Sequence, residues 1–393
     1  MIDELVDRLL TEHPPGQVPD KEFWGAQFDL GLAWVHFPEG YGGLGLDPKA
    51  QEHIDARLQE VGAPSNVNVN FMGIGMAGPT IMARGTEEHK RRFLRPAFAC
   101  EEIWCQLFSE PGAGSDLAAL STRAVRDGDE WILNGQKVWT TLAHMADWAM
   151  ILVRTDPEQP KHKGLTYFLL DMRQPGVEVR PLRQITGDAE FNEVYLTDAR
   201  TPDSLRIGDI GEGWNVGVTT LMNERTAFGH LAKPPRGSGA IGHLVRTYNQ
   251  RGNGDAALRD DVVRNWIDNE LCRLTTLRAQ ESRERGTPGP EGAVIKLAYT
   301  TVAQRTSELI VDMLGPEGLL ISNYDMVQPT VMGGTIDEGE HRDPVKTWLN
   351  LRGGTIGGGT TDIGRNVLGE RVLGLPGEPR VDKTLPWSQV PRS

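Results

Sequence analysis

The chain has 393 residues, more than one compact core sustains, which points to two or three domains. Charged residues make up 24% and hydrophobic residues 38%, the balance of a globular chain rather than a disordered one. The net charge of -13 is spread along the sequence and argues against a nucleic-acid partner, because phosphate binding needs a basic surface.

Cys100, Cys105 and Cys272 are the three cysteines, without metal-ligand spacing, and read as free thiols of a reducing, cytoplasmic compartment. The nine histidines form no H-E-x-x-H pair, so no catalytic metal is expected. The start, Met-Ile-Asp-Glu-Leu, lacks the basic opening and apolar core of a secretion signal. No apolar run nears the roughly 20 residues that span a bilayer, so no membrane segment is expected.

Ile2, Leu5, Leu9 and Leu10 recur at helical spacing and open the chain with an amphipathic helix. Residues 34–45 (WVHFPEGYGGLG) break that pattern with Pro38 and four glycines, a turn-rich loop. Residues 47–98 read mostly as helices, with Thr86 an N-cap ahead of Glu87 and Glu88.

From about 103 to 200 the character is β. Asp127-Gly128 and Asn134-Gly135 each fit a two-residue hairpin turn between antiparallel strands. Apolar runs at 148–153 and 165–170 and the alternation at 191–196 add strands, with the polar loop 156–163 between them. After Gly211 the helical period returns over 214–232, 238–251, 258–284, 291–314 and 360–371. Helices, then strands, then helices give an α+β, mainly α, chain whose strands form a block rather than βαβ units. The expected domains are an N-terminal helical one (1–102), a central β one of sandwich or barrel type (103–210) and a C-terminal helical one (211–393).

Two stretches carry chemistry. Ser109-Glu110-Pro111-Gly112-Ala113-Gly114-Ser115-Asp116 is followed by D-G-x-x-W-I-L-N-G-Q-K-V-W-T-T, ending at Trp139, Thr140 and Thr141. The second is the glycine-rich run 352–362, RGGTIGGGTTD. It lacks the Lys-Ser/Thr of a phosphate-binding P-loop. Together these segments resemble the acyl-CoA dehydrogenase family over nearly the whole chain, and the C-terminal domain is then expected to be a four-helix bundle.

The resemblance implies bound FAD. An aromatic at a strand end is by itself core or rim packing. In the family pattern, however, Trp139 lies against the flavin, Thr140 is beside it and the Thr141 hydroxyl donates to flavin N5. Gln106, Phe108 and Ser109 would contact the ring and ribityl region, and Ser115 the CoA pantetheine. Gly359, Thr360, Ile363 and Arg365 preserve the family's G-T-x-x-I-x-R core. Thr360 and Asp362 would then sit near the FAD pyrophosphate.

Many members carry the catalytic Glu immediately before that Gly-Thr; here the position is Gly358. A minority branch, which includes isovaleryl- and long-chain acyl-CoA dehydrogenases, supplies the base from the helix after the β domain. The matching residue is Glu224, followed by Arg225. By itself Glu224-Arg225 reads as a solvated surface pair; the coincidence of its presence with the gap at 358 favours the base. Leu221, Met222 and Phe228 would give it an apolar neighbourhood. Gly358 keeps its backbone N–H, the family's oxyanion donor. The implied reaction removes an α-proton and a β-hydride from an acyl-CoA to give trans-2-enoyl-CoA, with an electron-transferring flavoprotein as acceptor.

The family's R-x-x-F-G motif is reduced here to Arg251-Gly252-Asn253-Gly254, with Arg251 left to reach a neighbouring subunit's FAD pyrophosphate. Pro234-Pro235 interrupts the helical pattern after Glu224, which points to a bulky or branched acyl group. A homotetramer or homodimer is implied, or a heteromeric pair. The rivals are a flavin oxidase or monooxygenase of the same fold, and a non-catalytic subunit that completes a partner's FAD site.

Overall fold

A computed structural model describes residues 1–230, 235–252, 254–285, 289–332, 343–377 and 382–391; the side chains of 225–230, 283–284 and 291–293 fall outside that description. The chain opens with α1 (Ile2–Glu12), α2 (Asp20–Asp29) and α3 (Ala50–Glu60). A π-helix (Met72–Ala77), α4 (Gly78–Arg84) and α5 (Glu87–Phe98) follow. Thr86 caps α5 as the sequence predicts, in a box with His89 as the reciprocal partner. Phe23, Trp34, Phe37, Phe93 and Phe98 fill the core between these helices, and Trp34 stacks on Phe37 at 5.0 Å. The 34–45 loop is folded into that core. A side chain at Gly43 would meet the Phe37 and Trp34 carbonyls at 2.1 and 2.4 Å, so only glycine lets the loop close.

The middle of the chain supplies β1 (Trp104–Leu107), β2 (Arg123–Asp127), β3 (Glu130–Thr141) and β4 (Trp148–Arg154). It continues with β5 (Leu165–Asp171), β6 (Val177–Pro181), β7 (Phe191–Pro202) and β8 (Arg206–Ile207). They form one sheet in the order β6-β7-β3-β2-β4-β5-β8, with β1 joined to β4. β4 and β5 are buried on both faces, which is why they read as unbroken apolar runs. Most pairings are antiparallel; β1 and the start of β2 meet β4 in parallel.

The Asp127-Gly128 hairpin forms, with Asp127 opposite Glu130 and Gly128 at φ 68. The Asn134-Gly135 hairpin does not. β3 runs straight through this dipeptide, with a bulge against β7. Two contacts account for it. Asn134 exchanges hydrogen bonds with Asp198 on β7 (2.9 and 3.0 Å), and a Cβ at Gly135 would come within 2.4 Å of Thr122 Oγ1. The glycine therefore serves a close approach, not a turn.

The helical third of the chain comprises α6 (Gly213–His230), α7 (Gly239–Arg251), α8 (Ala256–Glu284) and α9 (Glu291–Leu314). Short α10 (Pro344–Asn350) and α11 (Thr361–Val367) complete it. α10 went unseen in the sequence; Asp343 caps it with bonds to the Val345 and Lys346 amides. α9 packs on α7, α8, α10 and α11. α6 turns the other way and packs on the π-helix, α4, β4 and β5. Among the described residues no helix is long and apolar enough to cross a membrane, and the three cysteines are buried and unbonded.

Candidate active site

The end of β3 departs from regular strand geometry. Trp139 has φ 61 and is 58% exposed, and it sits where the β3–β7 register shifts between Lys137 and Thr140. A left-handed backbone is an outlier for a bulky side chain and costs about 1–3 kcal/mol. The contact in view, an edge-on approach to the Phe191 ring at 5.9 Å, offsets part of that. An exposed indole held in strain marks a binding platform better than a packing residue. Beside it Thr140 is buried with its Oγ1 lacking any partner, and Thr141 is half-buried.

β1 brings the second wall. Val138 N donates to Ser109 O at 2.9 Å, which fixes Ser109 one residue from Trp139. Phe108 is buried, and Gln106 holds a buried Nε2 without a partner. The structure thus gathers Gln106, Phe108, Ser109, Trp139, Thr140 and Thr141 at one end of the sheet. A flat aromatic face with unsatisfied amide and hydroxyl groups nearby fits a flavin ring, which is planar and bears hydrogen-bonding atoms on its edge.

Sequence reasoning missed what holds this wall. Lys137 is fully buried, and its Nζ donates to Phe108 O (3.0 Å), Leu152 O (2.8 Å) and Glu110 Oε1 (2.8 Å). Three acceptors need three N–H groups, so the side chain is the ammonium. Burial pushes it down, and the Glu110 carboxylate counters. Glu110 also accepts from Ser121 N and Oγ and from Thr122 N. Burial acts to raise its carboxyl, but the Lys137 charge and the hydrogen bonds outweigh this and bring it down to about 2.

Behind Phe108 stands α6. A Cβ at Gly217 would lie 3.8 Å from the Phe108 ring, and that ring meets Tyr167 edge-on at 5.9 Å. Thr220 hydrogen-bonds Thr80 and Tyr167, each at 3.1 Å, and Asn223 reaches Thr80 at 3.3 Å. Glu224 follows Gly217 by seven residues, so it shares that face about 10 Å further along the helix. It is half-buried. Leu221 beside it is half-buried and Met222 is 62% exposed. The side chains of Arg225 and Phe228 lie outside the described residues, as do Pro234 and Asn253.

The glycine-rich run is carried by α9. Lys296 Nζ donates to Gly354 O (3.1 Å) and Gly359 O (2.5 Å), and Gln304 Nε2 to Leu351 O (2.9 Å). Thr300, between them on the same helix face, reaches Gly354 O at 3.4 Å. Gly358 and Gly359 have φ 64 and 94, a region glycine enters freely, and both are exposed. Thr360 spends its hydroxyl oxygen on the cap of α11, accepting from Ile363 N, and Asp362 pairs with Arg365 at 3.0 Å. Arg251 pairs with Glu317 at 2.8 Å, and Ser115 is exposed in the loop after Ala113.

Three family descriptions match the chain in order. They are the acyl-CoA dehydrogenase N-terminal domain over residues 3–101, the middle domain over 105–199 and the C-terminal domain over 211–373. Acyl-CoA dehydrogenase IpdE1 of Mycobacterium tuberculosis is 38% identical over 350 residues, 88% of this chain and 86% of the relative. Among solved structures, a variant of the Tcur3481-Tcur3483 steroid ACAD superposes with a TM-score of 0.70 at 25% identity, covering 96% of this chain and 99% of that one. The ChsE4-ChsE5 complex from Mycobacterium tuberculosis gives 0.70 at 26%, covering 96% and 97%. With matching domains along its length and relatives of this kind, the chain belongs to the acyl-CoA dehydrogenase family.

Proposed function

We propose that this protein is an FAD-dependent dehydrogenase that converts an acyl-CoA thioester to the trans-2-enoyl-CoA, acting on a bulky, branched or ring-bearing acyl group. The observation that carries the reading is Trp139, an exposed indole in a strained backbone beside the partnerless polar atoms of Gln106 and Thr140. FAD bound there supplies the acceptor for the β-hydride. Trp139, Thr141, Gln106, Phe108 and Ser109 would hold and orient its ring, Thr360 and Asp362 would sit near its pyrophosphate, and Arg251 would reach the pyrophosphate of a neighbouring subunit's FAD. Glu224 takes the α-proton, and Arg225 stands beside it in sequence. The Gly358 N–H polarises the thioester carbonyl, which acidifies that proton. Ser115 contacts the CoA arm.

Two observations support a bulky acyl group. The sequence places Pro234-Pro235 ten residues after Glu224, and a proline pair does not continue a helix. A solved relative at 25% identity is named a steroid ACAD. The test is anaerobic mixing of holoprotein with a panel of straight, branched and ring-bearing acyl-CoAs while the oxidised flavin absorbance is followed. Bleaching fastest with the bulky members is expected, and Glu224→Gln should abolish it with FAD still bound. Preference for straight medium chains sinks the substrate class, and undiminished bleaching in Glu224→Gln sinks the base.

The family resemblance also makes an electron-transferring flavoprotein the expected acceptor. A two-chain assembly has its own support. Both solved relatives are named as pairs, and α8 exposes Val263, Ile267, Leu271, Leu274 and Leu277 along one stripe. Light scattering of the purified chain should give a mass above one protomer, or reach it only with a second subunit; a stable lone monomer with full activity contradicts both.

A further inference from the structure

Residues 382–390 lie beyond the segment matched to the family's C-terminal domain, which ends at 373. They return to the β sheet. Pro386 bridges to Pro160, while Trp387 N and Ser388 N donate to Gln159 O and Pro157 O, each at 2.9 Å. Trp387 Nε1 donates to Ala119 O at 3.1 Å, and its ring lies 4.5 Å from the Arg154 guanidinium. Arg154, only 2% exposed, donates to Ala118 O (2.6 Å), Leu120 O (3.2 Å) and Lys161 O (2.9 Å). Lys161, 4% exposed, sits between Asp116 at 2.7 Å and Asp382. Every one of these contacts converges on the turn 116–120 or on the loop that supports it.

That turn follows Gly112, Gly114 and Ser115, which are exposed; a Cβ at either glycine would meet nothing within 4 Å. Apart from the buried Ala113, the 112–115 loop thus has little packing of its own. It is pinned by the Glu110–Ala113 bridge at one end and by Asp116–Lys161 at the other. We propose that residues 382–390 form an intrachain strap that positions the 112–120 loop for the CoA arm. The ligand identity rests on the function proposed above; the strap rests on the contacts. Without the strap, Ala119 O loses its donor, Lys161 one of its two carboxylates and Arg154 its aromatic cover. The turn then orders only when ligand binds, and affinity falls by that entropy.

The experiment compares holoprotein with a chain ending at Gly377 and with full-length Trp387→Ala and Asp382→Asn. Expected are unchanged FAD content and kcat, faster amide exchange at 116–120, and a rise of about tenfold in KM for acyl-CoA and in Kd for free CoA. Should the truncated chain fail to fold, Trp387→Ala decides. Unchanged affinity, with or without faster exchange, overturns the proposal. If the unaltered protein binds no CoA, the function is what fails, and exchange at 116–120 then judges the strap alone.

Discussion

Lys137 Nζ lies 2.8 Å from Glu110 Oε1, both side chains withdrawn from solvent, and the pair ties the Phe108 backbone to β3 just before Trp139. It is the point where the segment 108–110 is fastened to the sheet.

Breaking this pair by one partner leaves the other charge buried. Lys137→Met or Glu110→Gln should each cost about 3–5 kcal/mol in chemical denaturation, and joint replacement by Met and Leu should recover much of that. The pair also predicts a pH dependence. Glu110 is brought from an ordinary 4.5 to about 2, so its contribution is complete above the unfolded value and lost as pH falls through that window. The wild-type advantage over the double apolar variant should shrink by about 3 kcal/mol between neutral pH and about pH 2. An advantage independent of pH would show that the pair is not ionised.

Trp139 separates stability from binding. Trp139→Gly removes the left-handed penalty of about 1–2 kcal/mol and a single edge contact of comparable size. Thermal stability of the apoprotein should therefore stay within about 1 kcal/mol of wild type, while flavin affinity drops at least tenfold. A large loss of apoprotein stability would mean the indole is packing after all.

Much of this was readable beforehand. The order of helices, strands and helices, the Thr86 cap and the Asp127-Gly128 hairpin followed from periodicity and turn chemistry, which are local. Lys137 was readable too. Trp131, Leu133 and Lys137 fall on one parity of β3, the buried one, so a lysine there demanded an internal partner. Its partner Glu110 was not, because 27 residues separate them and only the sheet brings them together. Asn134-Gly135 misled for a related reason. The dipeptide has turn chemistry, but a cross-strand partner in Asp198 and the nearness of Thr122 decided its conformation. The α9 ladder onto the glycine-rich run escaped because Lys296, Thr300 and Gln304 carry no motif until their carbonyl acceptors are in place.

That ladder gives the last prediction. Lys296 Nζ holds the carbonyls of Gly354 and Gly359 on either side of Gly358, while Gly358 itself makes no packing contact within 4 Å of a built Cβ. Lys296 is thus the α9 side chain that brackets the Gly358 N–H, through charge-assisted bonds worth about 1.5–3 kcal/mol each. Lys296→Met should keep the aliphatic stem on α9 and release the loop. A carbonyl-polarising donor that wanders weakens the transition state more than the ground state, so kcat should fall at least tenfold with KM changed less. FAD content should stay near wild type. Lys296→Arg, which keeps the charge and the reach, should recover part of the loss. Equal loss in both variants, or a fall in FAD content that tracks the fall in kcat, would assign Lys296 to cofactor retention instead of to the oxyanion donor.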